Sequence, residues 1–245
     1  TCKKKYPKNI IGIINPKGGK VYDVDFIITG SIEEKDSLSV NKNVFIFPLI
    51  EDRYRNIRIK RHSKKKCLVL GFHGSYTHLS KFNPHLKKAL EEFSNEHEII
   101  LKIITDNSSF KWVKGRPDIK SIESIAWDSD TFTRELLECD IGLIPNMVDI
   151  KPFLKKTSID DGLYDTDYFI RMKNKSNSGR MFVFMQHGIP VIADITPSNL
   201  HILGNPDNGF AVFSKNGWLN SFRKLSNEKE RVDMSLNALS AFNEL

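Results

Sequence analysis

From Cys67 onward, short unbroken apolar runs alternate with stretches in which apolar residues recur every three or four positions. Runs of four to eight apolar residues predict strands buried on both faces, and the wider spacing predicts amphipathic helices. The runs are Cys67 to Phe72, Ile99 to Ile104, Ile141 to Ile144, Ile189 to Ala193 and Phe210 to Phe213, with a shorter strand expected within Ile119 to Ile125. Asn83 and Pro84 supply a cap and a first-turn proline for a helix containing Leu86, Ala89, Leu90 and Phe93. Phe132, Leu136 and Leu137 mark the next helix, with Ser129 or Asp130 as its expected cap. Gly179 to His187 forms a third, closed by Gly188 just past its end. Ser198 is expected to cap a short helix through Leu203, and two terminal helices carry Trp218, Phe222 and Leu225, then Val232, Leu236 and Leu239. This alternation predicts an α/β fold, a doubly wound parallel sheet with helices on both faces.

The chain divides by pattern into residues 1–62, a partial α/β segment ending in a basic connector, and residues 63–245, the regular domain. In the first part, Val24 to Thr29 and Val44 to Leu49 are apolar runs of the fully buried kind, but little amphipathic helix lies around them. That part therefore reads as incomplete. The opening Thr1-Cys2-Lys3-Lys4-Lys5 has neither an initiator Met nor an apolar signal core, which reads as a piece of a longer protein. Asn146 to Asn177 has no clear period and is charged, so a long functional loop is expected there.

Composition changes this picture little. A 245-residue chain that is 40% hydrophobic and 27% charged buries a full core, and no apolar run approaches the roughly 20 residues of a membrane span. Cys2, Cys67 and Cys139 are too scattered for a disulfide framework or a zinc site, which favours a reducing compartment. Charge is more informative. The net +7 is concentrated in Arg53 to Lys66, which holds eight Lys and Arg and no acid, and the remainder is near neutral. Basicity confined to one segment weakens a nucleic-acid reading. The segment reads as a solvated connector, with contact to anionic lipid headgroups or an anionic acceptor as the rival.

In an open α/β sheet, ligands bind beyond the carboxyl ends of the strands, where helix N-termini present free N–H groups. Two stretches fit. In Gly71 to Lys81, Gly74 and Ser75 permit close backbone approach and Lys81 stands near a helix start. His73 and His78 lie in the same stretch, but with no third ligand suitably spaced they read as ordinary histidines. In the second stretch, Arg171, Lys173, Lys175 and Arg180 occur without an acid between Tyr168 and Ala193. Arg180 falls in the first turn of an apolar helix, where the positive end of the dipole disfavours a cation unless an anion is bound. Ser176, Asn177 and Ser178 precede that helix as caps and as donors to phosphate or ribose oxygens.

Lys173 to Ala193 (KNKSNSGRMFVFMQHGIPVIA) resembles the donor-site segment of GT-B glycosyltransferases, especially group 1 types related to family 4. Three further stretches fall in the expected order: Gly71 to Ser75, the Asp140 to Pro145 strand (DIGLIP), and Gly209 to Val212 with Trp218. The likeness covers residues 67 to 245 and implies a Rossmann-like, nucleotide-sugar-binding domain, with 1–62 as part of the acceptor-side domain. It further implies metal-independent transfer of a sugar from a nucleoside-diphosphate sugar to a glycan, lipid or other acceptor, as in polysaccharide assembly. No cofactor, no metal and no nucleic-acid partner is expected, and the basic segment 53–66 is an optional contact with the inner face of the membrane in a cytoplasmic protein. The diphosphate contacts implied are Arg180, Lys175, Lys173 and Lys81, with Gly74, Ser75, Ser176, Asn177 and Ser198 lining the donor loop. The chain departs from the family's paired glutamates, whose positions hold Lys175 and Val183. No catalytic base is identified. A noncatalytic nucleotide- or anion-binding module is the alternative, favoured by the missing acids.

Overall fold

The computed structural model describes residues 2–14, 23–38, 43–48, 50–80, 82–112, 115–146 and 178–245. Six parallel strands form the larger sheet: β4 (Cys67–His73), β5 (Glu98–Thr105), β6 (Ser121–Ala126), β7 (Ile141–Ile144), β8 (Val191–Asp194) and β9 (Phe210–Val212). Their order is β6-β5-β4-β7-β8-β9. The chain winds outward from β4 to β6, returns to lay β7 beside β4, and winds outward again. The carboxyl ends of β4 and β7 therefore diverge into loops on opposite sides, which opens a crevice where doubly wound folds bind ligands.

Helices cover both faces. On one, α4 (Pro84–Glu96) and α8 (Lys215–Ser226) pack together, with the Phe93 and Phe222 rings 5.3 Å apart over Leu68, Leu70 and Phe72 of β4. On the other, α5 (Phe132–Glu138), α6 (Gly179–Gln186), α7 (Pro197–Leu203) and α9 (Glu228–Asn243) enclose a second core that includes Leu136, Phe184, Leu203 and Phe242. Two glycines decide how closely α6 approaches. Gly71 and Gly142 are partners in the β4–β7 register. A Cβ on Gly142 would stand 2.5 Å from the Phe184 ring, and one on Gly71 would stand 2.5 Å from the Cys139 sulfur. Their missing side chains let α6 and the start of β7 settle onto the sheet.

Local signals explain the element ends. Asn83 Oδ1 accepts from His85 N and Leu86 N at the start of α4, ahead of Pro84. Gly188 ends α6 at φ +67, its N–H donating to Met185 O at 2.9 Å and that of Ile189 to Phe184 O at 3.0 Å, the paired bonds of a Schellman motif. Other expectations need correction. Neither Ser129 nor Asp130 caps α5; Asp128 Oδ1 accepts from Asp130 N and Thr131 N ahead of it. Thr196, not Ser198, caps α7, accepting from Asn199 N. In α9 the buried stripe is Met234, Ala238 and Phe242, and Leu236 is exposed. Both stripes are helically spaced; packing of Phe242 against Phe182, centroids 5.9 Å apart, selects one.

The N-terminal part holds β1 (Gly12–Ile14), β2 (Phe26–Thr29), β3 (Asn43–Ile46), and the helices α1 (Cys2–Lys5) and α2 (Ile32–Ser37); a further short helix, α3 (Thr77–Ser80), follows β4. The three strands make a parallel sheet in the order β1-β2-β3. Sequence reading missed β1 and α2, although Ser31-Ile32-Glu33-Glu34 carries a capping pattern: Ser31 Oγ accepts from Glu34 N, and Glu34 accepts from Gly30 N. It also misjudged the second apolar run, since Phe45 and Phe47 are exposed rather than buried.

The basic connector is not a freely solvated strand. Lys60 Nζ donates to the carbonyls of Leu137 and Glu138 at the end of α5 and pairs with the fully buried Asp140 at 3.2 Å. Lys65 joins the same carboxylate at 2.9 Å, the His62 ring bonds Gly188 O at 3.0 Å, and Arg231 Nη2 donates to Ser63 O at 2.7 Å. The amino-terminal edge of the sheet thus binds the connector residue by residue, while Arg58, Arg61, Lys64 and Lys66 face solvent.

Candidate functional site

At the opposite, carboxyl edge lies a cleft of about 460 Å³. The loops after β4, β5 and β6, the starts of α5 and α6, Glu51, and Tyr54 of the connector form its walls. Parallel register brings distant residues together here. His73 stands opposite Ile104 across β4 and β5, Gly74 N donates to Ile104 O at 3.1 Å, and Trp127 N donates to Thr105 O at 2.8 Å. Side by side along the rim are therefore Gly74, Ser75, Asp106 and Trp127.

Arg180 enters the cleft from the second position of α6. Its guanidinium stands 5.4 Å from the Phe72 ring centre, and Nη2 donates to Asn146 Oδ1 and, at 3.4 Å, to Pro145 O. Nη1 is buried, with no partner among the described residues. Burial draws the Arg180 pKa down to about 10, against the pull of Asp194, so the group stays charged at neutral pH. Asp194 is buried and accepts from both Asn83 Nδ2 and Asn146 N, which ties the ends of β7 and β8 to the start of α4.

Beneath Arg180, the buried His73 ring packs edge-on against Phe132 and Phe184, with centroids 5.4 and 4.9 Å away. Its Nε2 lies 3.0 Å from Arg180 O, and since a carbonyl only accepts, Nε2 carries the proton. Burial pushes the His73 pKa down to about 3. This neutral donor fixes the first turn of α6. Among the described residues no group of three His, Cys, Asp or Glu could hold a metal ion.

The residues expected from sequence divide into three sets. Arg180, Gly74 and Ser75 meet in the cleft. Gly74, at φ +127, serves Arg180 directly, since a Cβ there would lie 2.9 Å from Arg180 Cδ. Ser198 does not line this cleft: its hydroxyl donates to Glu33, its N–H donates to the same carboxylate at 3.1 Å, and its Oγ accepts from Ile32 N, joining α7 to α2. Ser178 is likewise occupied, donating to Asn199 Oδ1 at 3.2 Å. Lys81, Lys173, Lys175, Ser176 and Asn177 lie outside the described residues. Sequence reading missed Asp106, Trp127, Glu51 and Tyr54, which reach the cleft only through strand register and the return of the connector. An acid directly after the second strand of the domain was the available signal for Asp106.

Neither a protein-family model nor a curated protein sequence matches the chain. Solved structures do. A structure of TarM superposes with a TM-score of 0.58 at 10% identity, over 90% of this chain and 40% of that one. Anabaena HepE in complex with UDP and glucose gives 0.56 at 11%, over 90% and 59%. The pneumococcal O-GlcNAc transferase GtfA in complex with UDP and GlcNAc gives 0.53 at 14%, over 90% and 42%. The chain thus spans about 40 to 60% of the length of these proteins. Together with the strand order and the crevice at the β4–β7 divergence, the superpositions identify the architecture as that of the GT-B glycosyltransferases.

Proposed function

We propose that the cleft at the carboxyl edge of the six-stranded sheet binds the diphosphate of a nucleoside-diphosphate sugar, and that the chain is the donor-binding part of a glycosyltransferase. One observation carries the reading: Arg180 holds a buried Nη1, without a partner among the described residues, at the amino end of α6, where the helix dipole itself opposes a cation. An anion in the cleft satisfies both the nitrogen and the dipole. In transfer, negative charge develops on the departing diphosphate, and donors fixed in advance around that position stabilise it without reorganising. Arg180 supplies that charge without a metal in this reading; Lys81, Lys173 and Lys175 remain candidate helpers. The acceptor, a glycan or lipid-linked molecule, approaches from the N-terminal side, beyond Glu51 and Tyr54.

HepE and GtfA were both captured with UDP, so UDP heads the ligands to test, followed by ADP, GDP and CDP. Calorimetric titration of the protein should show binding of at least one of the four. Arg180→Ala should weaken it by about 1.5 to 3 kcal/mol, the range for hydrogen bonds to charged groups, and EDTA should leave it unchanged. An affinity indifferent to Arg180→Ala rules out the diphosphate assignment. A noncatalytic binding module is the second reading, favoured by Val183 on the cleft wall where resembling enzymes place a glutamate. Sugar transfer or donor hydrolysis by the full-length protein separates the two.

A further inference from the structure

We propose that Asp106 is the acceptor for the ribose hydroxyls of the bound nucleotide and makes the cleft selective for ribonucleotides; this rests on the donor-site reading above. Asp106 directly follows β5, next to the glycine turn that ends β4. In sheets of this strand order, that is where a carboxylate can reach the sugar of a nucleotide whose phosphates lie over the first turn.

The position is held rigidly. Oδ1 accepts from Tyr76 N at 3.0 Å and from Thr105 Oγ1 at 2.9 Å, and Oδ2 accepts from Ser75 Oγ at 3.3 Å. Those bonds, led by the one from Tyr76 N, keep the carboxyl below its usual range, so it is ionised and only accepts. The bond that Oδ2 accepts from Ser75 Oγ is a long one, and Asp106 is exposed along the cleft, which leaves that oxygen open to hydroxyl donors.

The order of groups along the rim supports the assignment. Arg180 stands over Gly74, Ser75 bonds Asp106, and Trp127, 45% exposed, follows across the Thr105 bond. Cation, carboxylate and aromatic ring in that sequence match diphosphate, ribose and base. The other acid on the cleft wall, Glu51, is already paired with Arg53 at 2.9 Å. Val183 on the same wall has no polar group to offer.

The experiment compares the tightest-binding of the four ribonucleoside diphosphates with its 2′,3′-dideoxy counterpart, using calorimetry on the wild-type chain, Asp106→Ala, Asp106→Asn and Arg180→Ala. The wild type should prefer the ribose form by about tenfold or more, as for a hydrogen bond to a charged group. Asp106→Ala should bind both forms alike while keeping wild-type affinity for the dideoxy form, which also shows that its cleft is intact. Asp106→Asn, nearly isosteric, should reduce the preference if the alanine variant fails to fold. Arg180→Ala should weaken both forms equally and keep their ratio. Equal wild-type binding of the two forms, or an undiminished preference in the Asp106 variants, overturns the inference and leaves the diphosphate reading standing. Failure of all four diphosphates to bind overturns both.

Discussion

Lys60 and Arg180 are both cations drawn into the fold at edges of the same sheet, and they are treated in opposite ways. At the amino edge, Lys60 meets the fully buried Asp140, shares it with Lys65, and closes the carbonyl end of α5, where a helix dipole favours positive charge. Within the sheet, Lys102 is 2% exposed and is matched in the same manner by Glu135 and Glu138. Arg231 is fully buried, yet it donates to the carbonyls of Leu225, Ser226 and Ser63. At the carboxyl edge, Arg180 has, among the described residues, only an amide oxygen and a distant carbonyl as hydrogen-bond acceptors, at the unfavourable end of its helix. Charges that serve the fold meet carboxylates or several carbonyls within it. Arg231 Nε, like Arg180 Nη1, is buried with no partner among the described residues, but Arg231 lies away from the cleft and three carbonyls hold its other nitrogens, whereas Arg180 lines the cleft, and that placement separates a binding group from a structural one more sharply than charge alone.

Removing the shared carboxylate should have the largest effect. Asp140→Ala leaves Lys60 without its buried counter-charge and frees Val69 N, which donates to Oδ2 at 3.0 Å. Breaking a buried pair in this way costs about 3 to 5 kcal/mol. Denaturant unfolding should report that loss, and should report it without any selective effect on the cleft.

Acid tests both edges. Burial pushes His73 to about 3 and His62 to about 4, both below the ordinary 6.5. In each case the unfolded chain takes up its proton first, so the stabilisation is complete above pH 6.5 and is lost as the pH falls toward the folded values. Each group then contributes a slope of about 1.4 kcal/mol per pH unit within its window. Asp140 responds later. Burial opposes its ionisation, but Val69 N–H and the two lysines outweigh that and hold it below 3.8, so its contribution is lost only beneath that value. His73→Gln should remove one proton's worth of slope between pH 6.5 and 4 and leave that of His62. An unchanged slope would mean that His73 does not anchor α6 as a neutral donor.

How much of this was legible depended on the range over which each signal acts. Asn83-Pro84 and Gly188 act within a few residues, and their helices end where the sequence said they would. The DIGLIP strand was readable as buried, but not the reason for its glycine, because Phe184 arrives from 42 positions downstream. Lys60 looked like any other residue of a basic run; only the fold brings Asp140 to it. Ser198 offered a hydroxyl at a helix start, yet Glu33, from the other end of the chain, had claimed it. In the cleft, Arg180 was legible because it breaks a local rule, a cation against a dipole, and Gly74 because a small residue in a strand-to-helix turn permits close backbone approach; its φ of +127 came only with the structure. Asp106 and Trp127 break none, and became visible only when parallel pairing set the ends of three strands in register.

The smallest expected change in stability is also the sharpest form of the comparison. Arg180→Met keeps a long side chain over Phe72 and Gly74 but removes the charge. Structural cations lose their compensation when altered, whereas Arg180 has, among the described residues, little to lose: one bond to Asn146, a long one to Pro145, and attraction to Asp194. Against these stand the adverse dipole and the desolvated Nη1. The balance should leave stability within about 1 kcal/mol of the wild type, on either side. Nucleoside-diphosphate affinity should nevertheless fall as far as in Arg180→Ala. A loss of several kcal/mol in thermal or denaturant unfolding would place Arg180 with Lys60 among the groups that hold the fold together. A folded, fully stable and non-binding variant would mean that the chain tolerates an uncompensated charge at this position because a ligand completes it.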